Sequence, residues 1–405
     1  MNATPKPQPV RRAALALLWP LMLLLHACGG GVGTGGTGSE TGNAFSAGPI
    51  AGFGSVIVND VRFDDGAATV EDADGTRSSR DALRLGMTVE VDSGPIASSA
   101  AGGSTATARS IRFASLLVGP ALGIDLGGDR FEVLGQRVTV DDQTVFDPAF
   151  GGAAGSGLER VRAGQIVEVY GTYDSAQRRI RATRIEPRAL AAAFVVRGPV
   201  SGLDRVAQTL RIADTVFVYA GASAVPADLA VEQFVRLRVA TVPLAGGRWQ
   251  VQGFGTAQPS LPETTELRVR GLITAFTSPA SFSVDGRRVD AAAATFPDGS
   301  NGLAVGVRVE LEGRASAGVL RASRVSIRSD GQIRDRGFEL RGAVATVDAA
   351  NRRFELRGLV VSTARPDLRV DGGSLADLAP GRRVVVQAQL AADRIRLEAT
   401  RIQFE

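Results

Sequence analysis

The sequence predicts an all-β protein: a tandem array of five small five-stranded barrels, OB-like or SH3-like, behind a cleaved signal and a Gly-rich tether. Three recurrences predict it. A Gly followed by small or apolar residues opens each unit, at Gly48-Pro-Ile, Gly119-Pro-Ala, Gly198-Pro-Val, Gly271-Leu-Ile and Gly342-Ala-Val. A hairpin-like stretch follows: VIVNDVRF, FEVLGQRVTV, LRIADTVFVY, FSVDGRRVDA and FELRGLVVST. Each unit then carries apolar-x-x-Gly-x-x-apolar-x-apolar, as LRLGMTVEV, VRAGQIVEV, LAVGVRVEL and LAPGRRVVV, with VEQFVRLRV in a degenerate third copy. A fixed period of roughly 70 residues signifies tandem copies of one supersecondary unit. It identifies an array, not a chemistry.

Residues 1–27 read as a signal peptide. Lys6, Arg11 and Arg12 precede an almost wholly apolar run from Ala13 to Leu25. A bilayer span takes about 20 such residues, so this shorter run fits a secretory h-region. It ends in Leu25-His26-Ala27-Cys28 followed by glycines, which resembles the lipobox of bacterial lipoproteins, with His26 an unusual occupant of its place. The resemblance implies cleavage before Cys28, lipidation of that residue and, with Gly rather than Asp at position 29, sorting to the outer membrane. An ordinary signal with a chance Cys is the alternative. Cys28 is the one Cys in the chain, so an internal disulfide is impossible and acylation accounts for it better. Two or more acyl chains anchor stably where a single one does not.

Residues 28–43 are then the lipidated Cys and its tether. From Gly29 to Asn43 there is no apolar periodicity, and a flexible chain of that length reaches on the order of 20 Å. Gly31 to Gly36 matches a dinucleotide-binding fingerprint letter by letter. No strand precedes it and no helix follows, so the match is compositional.

The repeats are expected at 44–116, 117–189, 190–258, 266–330 and 337–405. In the fourth, LRVRGLITAF is a first strand, and SFSVDGRRVDA is a hairpin turning at Asp285-Gly286. GVRVELEG is a fourth strand with Val307, Val309 and Leu311 on one face, and VLRASRVSI is a fifth. Asn59-Asp60, Gly135-Gln136 and Arg357-Gly358 take the turn in other copies. Ser79 to Leu85 and Ser374 to Leu378 suit one helical turn closing a barrel end. Gly86, Gly164, Gly306 and Gly381 suit a bend with a positive backbone angle ahead of the fourth strand. Glu232 holds that place in the third copy, where the bend must be closed differently. The last strand repeats Ala-x-x-apolar from Ala108, Ala182, Ala322 and Ala399. Residues three apart face opposite ways on a regular strand, so a bulge or a change of buried face is implied.

A unit of this size buries only about 60% of the surface of its unfolded chain. Docking on neighbours is therefore expected, through short linkers at 186–193, 258–266 and 329–336, giving an elongated semi-rigid rod.

Composition removes several chemistries. Without residues 1–27 the chain loses Lys6, Arg11 and Arg12 and no acid, which leaves 43 basic residues from the original 46 against 42 acidic ones. A near-neutral chain of interspersed charge argues against a nucleic-acid partner. It also loses its one His and its one Lys, and with them the commonest general base, a Schiff-base amine and imidazole metal sites. No catalytic, cofactor or metal site is therefore assigned. Asp64-Asp65 and Asp141-Asp142 are the paired carboxylates a glycoside hydrolase would need, though both suit strand ends better. Asp72-Ala-Asp74-Gly75 and Pro297-Asp298-Gly-Ser-Asn301 resemble fragments of calcium loops but lack the bidentate Glu. Trp249, Tyr170, Tyr173 and Tyr219 are the scarce candidates for stacking platforms. Phe53, Phe63, Phe131 and Phe354 fall in strand patterns and read as core.

The run GPIAGFGSVIVNDVRFD followed by LRLGMTVEV resembles the repeat of domain-of-unknown-function family 5666. The resemblance covers residues 48–405, strongest in the first copy and weakest in the third. It implies export and a small β fold, and transfers no catalytic residue. The expectation is a non-enzymatic lipoprotein on the periplasmic or outer face of the outer membrane, acting as a scaffold or interaction module. Its partners would be the membrane, through the lipid, and an envelope protein or polysaccharide. An oligosaccharide-binding array and a carboxylate hydrolase are the alternatives.

Overall fold

A single strand cycle recurs along the chain. The computed structural model describes residues 42–98, 103–150, 157–329 and 337–405. The expected signal at 1–27, Cys28 and nearly all of the expected tether lie outside the described residues, as does most of the expected 329–336 linker. In the fourth copy Thr264–Ser278 pairs antiparallel with Ser281–Val284, which pairs with Arg287–Asp290. That third strand runs parallel to Val319–Ile327, which pairs antiparallel with Arg308–Ser316, and Arg308–Ser316 returns to the first strand. The sheet closes in the order first, second, third, fifth, fourth. Strands within 44–113, 117–187, 194–255 and 338–404 trace the same cycle. The parallel third–fifth pairing is OB-like and rules out an SH3-like barrel, whose neighbours are all antiparallel. Closure removes the exposed edges that a small open sheet would leave.

Among the described residues there is no α-helix. The helical turns expected at the barrel ends are 3-10 turns at Arg80–Ala82 and Leu375–Asp377. Ser79 caps the first by accepting the Asp81 N–H at 3.1 Å. In the second the Asp377 carboxylate accepts the Ser374 N–H at 2.8 Å.

The two recurring glycines serve one closure. Gly86 donates its N–H to Ile50 O at 2.9 Å, and Ile50 donates to Met87 O at 2.9 Å. The same reciprocal pair joins Gly164 with Ala121, Gly306 with Ile273 and Gly381 with Val344. The acceptor always stands two residues after the opening Gly, where the first strand passes from one side of the barrel to the other. The left-handed angle brings the N–H round to it, with φ of 81°, 80°, 86° and 85° at the four glycines. The third copy solves the bend in the same way, not differently. Glu232 itself sits at φ 70° and donates to Val200 O at 2.8 Å.

The opening Gly answers a close approach. A Cβ on Gly48 would lie 2.6 Å from the Asn59 side chain, and one on Gly119 would lie 3.0 Å from Leu134. Asn59, Leu134 and Asp285 are each the first residue of the hairpin turn, folded back over the first strand. In the second copy the turn is thus Leu134-Gly135, with φ of 52° and 69°, and not Gly135-Gln136. Burial of Leu134 at 1% exposure draws the turn back by one residue, and Gln136 begins the third strand.

The last strand carries the implied bulge. Register shifts fall opposite Arg109, Thr183, Ser323 and Thr400, each directly after the repeated Ala. The extra residue lets both Ala182 and Ile185 face the core, at 4% and 0% exposure.

Thr41–Glu405 is one compact unit, and a rod in which each copy meets only its sequence neighbours is not what forms. The first strand of copy one pairs parallel with that of copy four at Ala44–Ala47, and with that of copy five at Gly52 and Phe53. Copies two and three join through Val118↔Val195 and Leu117↔Val196. One apolar core spans copies one and five, with Val145 and Tyr170 inserted from copy two; another spans copies two and three. The first strand does the joining: Ala44–Ala47 pair along one edge with the fourth strand of their own copy and along the other with the first strand of copy four.

Candidate functional site

Four copies meet around a cleft of about 240 Å3. Its floor is apolar, with Ile50, Ile57, Ala182 and Phe338, and its rim carries Arg62, Arg181, Arg270 and Arg308 against Asp60, Asp141, Asp142 and Glu339. Strand alternation places these groups. Ile57 alternates with the core residues Val56 and Val58 and stands opposite Arg62, which lies between the buried Val61 and Phe63, so both point out of their barrel. There its guanidinium meets both carboxylate oxygens of Glu339 from the fifth copy. Gly52, opposite Glu339, has no Cβ to hold that strand away.

Arg270 precedes the opening Gly of the fourth copy. It is 10% exposed and divides its charge between Asp60 at 3.3 Å and Glu310 at 3.2 Å. Burial works against ionisation of Glu310, but Arg270 and Arg328 outweigh it and hold the carboxyl below its usual range. Arg181 and Arg179 both reach Asp174, which is buried, at 3.2 and 3.4 Å.

The paired carboxylates separate. Asp141 and Asp142 line the cleft, while Asp64 and Asp65 lie outside it. Asp141 shapes its own turn, accepting the Gln143 N–H at 2.9 Å and the Thr144 hydroxyl at 3.3 Å. Asp64 accepts the Gly66 N–H at 3.0 Å, and Asp65 stands 3.9 Å from Arg80. The calcium-like fragments are also turns. Asp72 accepts N–H groups of Asp74 and Thr76, each at 2.9 Å. Asp74 grips Arg236 of the third copy at 2.6 and 3.0 Å, and Asp298 accepts the Ile327 N–H at 3.0 Å. Among the described residues no cluster of three or more His, Cys, Asp or Glu forms a metal site. The stacking candidates are core residues: Tyr170, Tyr173, Tyr219 and Trp249 are all under 9% exposed, and Trp249 packs edge-on against Phe194 at 5.9 Å.

The arginines were the residues that sequence reasoning missed, because mixed charge reads as solvated surface. A signal existed. Arg197, Arg270 and Arg341 each directly precede the opening Gly of copies three, four and five.

Among the described residues two carboxyls hold their protons more tightly than usual, and neither lines the cleft. Burial raises Asp92, against Arg109. Burial also raises Asp285 to about 6, against the Leu272 N–H and the charges of Arg308, Arg197 and Arg287. An unfolded Asp titrates near 3.9, so the folded chain binds the extra proton between these values. Stability from this group is greatest below about pH 4 and declines as pH rises to about 6. Asp285→Asn keeps an acceptor for Leu272 and removes the buried charge. It is expected to gain about 1–2 kcal/mol at pH 7.5 and nothing at pH 4, by urea unfolding. Equal effects at both pH values would contradict this.

The family model described as Domain of unknown function (DUF5666) matches residues 122–186, 270–326 and 341–403. The matches fall on the second, fourth and fifth copies. The first, expected to be the strongest, carries none, and it is the copy that inserts the extra hairpin of Thr69–Glu71 and Arg77–Ser78. No curated protein matches the chain. A solved structure of Drosophila Unr, described as CSD456, aligns at 11% identity over 72% of this chain and 97% of its own, with a TM-score of 0.14. A score that low supports no comparison of fold or ligand.

Proposed function

We propose that this chain, with its three matched repeats of the domain of unknown function DUF5666, is a non-enzymatic interaction module of the cell envelope. In this reading it is an array of five OB-like barrels held to the outer membrane by acylated Cys28. One observation carries it: several buried or half-buried charged side chains are committed to joints between copies. Arg62–Glu339 links copies one and five, Arg236–Asp74 three and one, Arg287–Glu90 four and one, and Arg184–Asp147 lies where copy two meets copy one. Groups locked in ion pairs hold surfaces in register and are poor proton shuttles. A large rigid body with varied inter-copy surfaces suits binding an envelope protein. The test is crosslinking in intact cells followed by recovery through this chain. One envelope protein should dominate, and its yield should fall severalfold when Asp142→Arg alters the cleft rim. Recovery that is diffuse and indifferent to the substitution would refute the reading.

The anchor has its own test. Cys28→Ser is expected to abolish lipid attachment and release the protein from membranes. Should the variant still pellet with outer membranes after high-salt washing, Cys28 is not the anchor.

A second reading, an envelope polysaccharide bound in the cleft, is favoured by the alternation there of Arg62, Asp142, Gln143 and Gln387 above an apolar floor. Phe338 is the one aromatic in the cleft lining and is itself buried, while the Tyr and Trp side chains lie elsewhere, which places this reading second.

A further inference from the structure

We infer that the junction of the first four copies is a binding site for a small monocarboxylate, separate from the cleft above. The junction encloses about 100 Å3 of space, where a single water needs only about 10–15 Å3. Two polar groups face it without partners. The Thr172 hydroxyl, from the fourth strand of copy two, is buried at 7% exposure and makes no hydrogen bond. Arg197, ahead of the opening Gly of copy three, has a buried Nε with no acceptor.

The other arginines of the wall are engaged. Arg287 donates to Glu90 and to Pro259 O at 3.0 Å, Arg112 reaches Glu71 at 3.3 Å, and Arg270 holds Glu310. Arg197 alone among them has no carboxylate or carbonyl within hydrogen-bond reach among the described residues. Its guanidinium lies 5.9 Å over the Phe234 ring. That face contact eases burial of the charge but leaves the donors in the guanidinium plane unanswered. Burial lowers Arg197 to about 10, so it remains cationic at neutral pH.

A carboxylate matches this arrangement. Its two oxygens accept from the guanidinium fork and from the Thr172 hydroxyl. A short alkyl body then meets Val269, Val284 and Phe234, which line the same space. Chloride and sulfate offer no apolar part. Glu90 and Asp285 act on Arg197 only through space, and an uncharged amide brings no charge to pair with the guanidinium directly. Because the ligand would touch elements of several copies, occupancy would lock their arrangement.

The experiment is calorimetric titration of the full mature chain with acetate, propionate and butyrate, against propionamide and chloride. Propionate is expected to bind saturably and at least roughly tenfold more tightly than propionamide, as a charge-assisted pair implies. Arg197→Gln should weaken it by at least tenfold and Thr172→Val severalfold, and bound propionate should raise the melting temperature. If no carboxylate gives saturable heat, the junction holds only water and the inference fails. Should Arg197→Gln not fold, the near-isosteric Thr172→Val decides: unchanged propionate affinity in that variant overturns the site.

Discussion

Replacing Arg184 with Ala is expected to cost about 3 kcal/mol in urea unfolding, the largest loss from any single charged side chain in the fold. Arg184 is 2% exposed on the last strand of copy two. Its three guanidinium nitrogens are all used, by Glu186, Asp147 and, at 3.2 Å, Leu85 O of copy one. Removing it strands two carboxylates and one carbonyl where water reaches poorly. Asp147 and Glu186 keep 20% and 19% of their side-chain surface, which holds the cost to the lower end of the range for a broken buried pair. Arg184→Lys keeps the charge but not the planar fork, and should lose about half as much. A cost under about 0.5 kcal/mol for the Ala variant would mean the network contributes nothing net.

The second large effect is at Gly86, and the repeats supply its controls. Ala at a left-handed angle costs roughly 1 kcal/mol or more for the backbone alone. A Cβ on Gly164 or Gly381 meets nothing within 4 Å, so those variants should show that cost only. At Gly306 it would lie 2.9 Å from the Ala176 Cβ and 3.0 Å from Asp174, adding a modest strain. At Gly86 it would press into the Thr183 carbonyl, which is backbone and cannot swing aside, with the Arg184 Cβ at 3.2 Å. Overpacking of that kind adds about 1–3 kcal/mol, so Gly86→Ala should cost about 2–4 kcal/mol. Glu232→Gly should run the other way and stabilise by up to about 1 kcal/mol, because a side chain already sits at φ 70°. Thermal melts of the five variants should therefore rank Gly86, Gly306, then Gly164 with Gly381, with Glu232 of opposite sign. Equal losses at Gly86 and Gly164 would remove the inter-copy clash from the account.

The sequence by itself determined what is local. Period-2 alternation placed the strands, Asp285-Gly286 and Asn59-Asp60 placed hairpins, and Ala-x-x-apolar spacing implied the bulge, because each follows from a few adjacent residues and the geometry of a pleated chain. It marked Gly86 and its equivalents as bends, though not the reciprocal hydrogen bonds to the first strand that make the bend necessary. At Glu232 it erred, since a backbone requirement set by closure overrides the preference of one side chain.

Only the tertiary structure decided how the copies meet. Copies one, four and five pair through first strands separated by more than 200 residues, as at Ala44↔Glu266, and no repeat pattern encodes which edge meets which. The cleft depends on that arrangement. Asp141 and Asp142 are drawn to it while Asp64, which ends the third strand of copy one, and Asp65 after it are not. Arg62, Arg184, Arg197 and Arg270 read as solvated charges along the chain. They are joints because the faces they stand on are covered by other copies, and burial is set by the whole assembly rather than by neighbours in sequence.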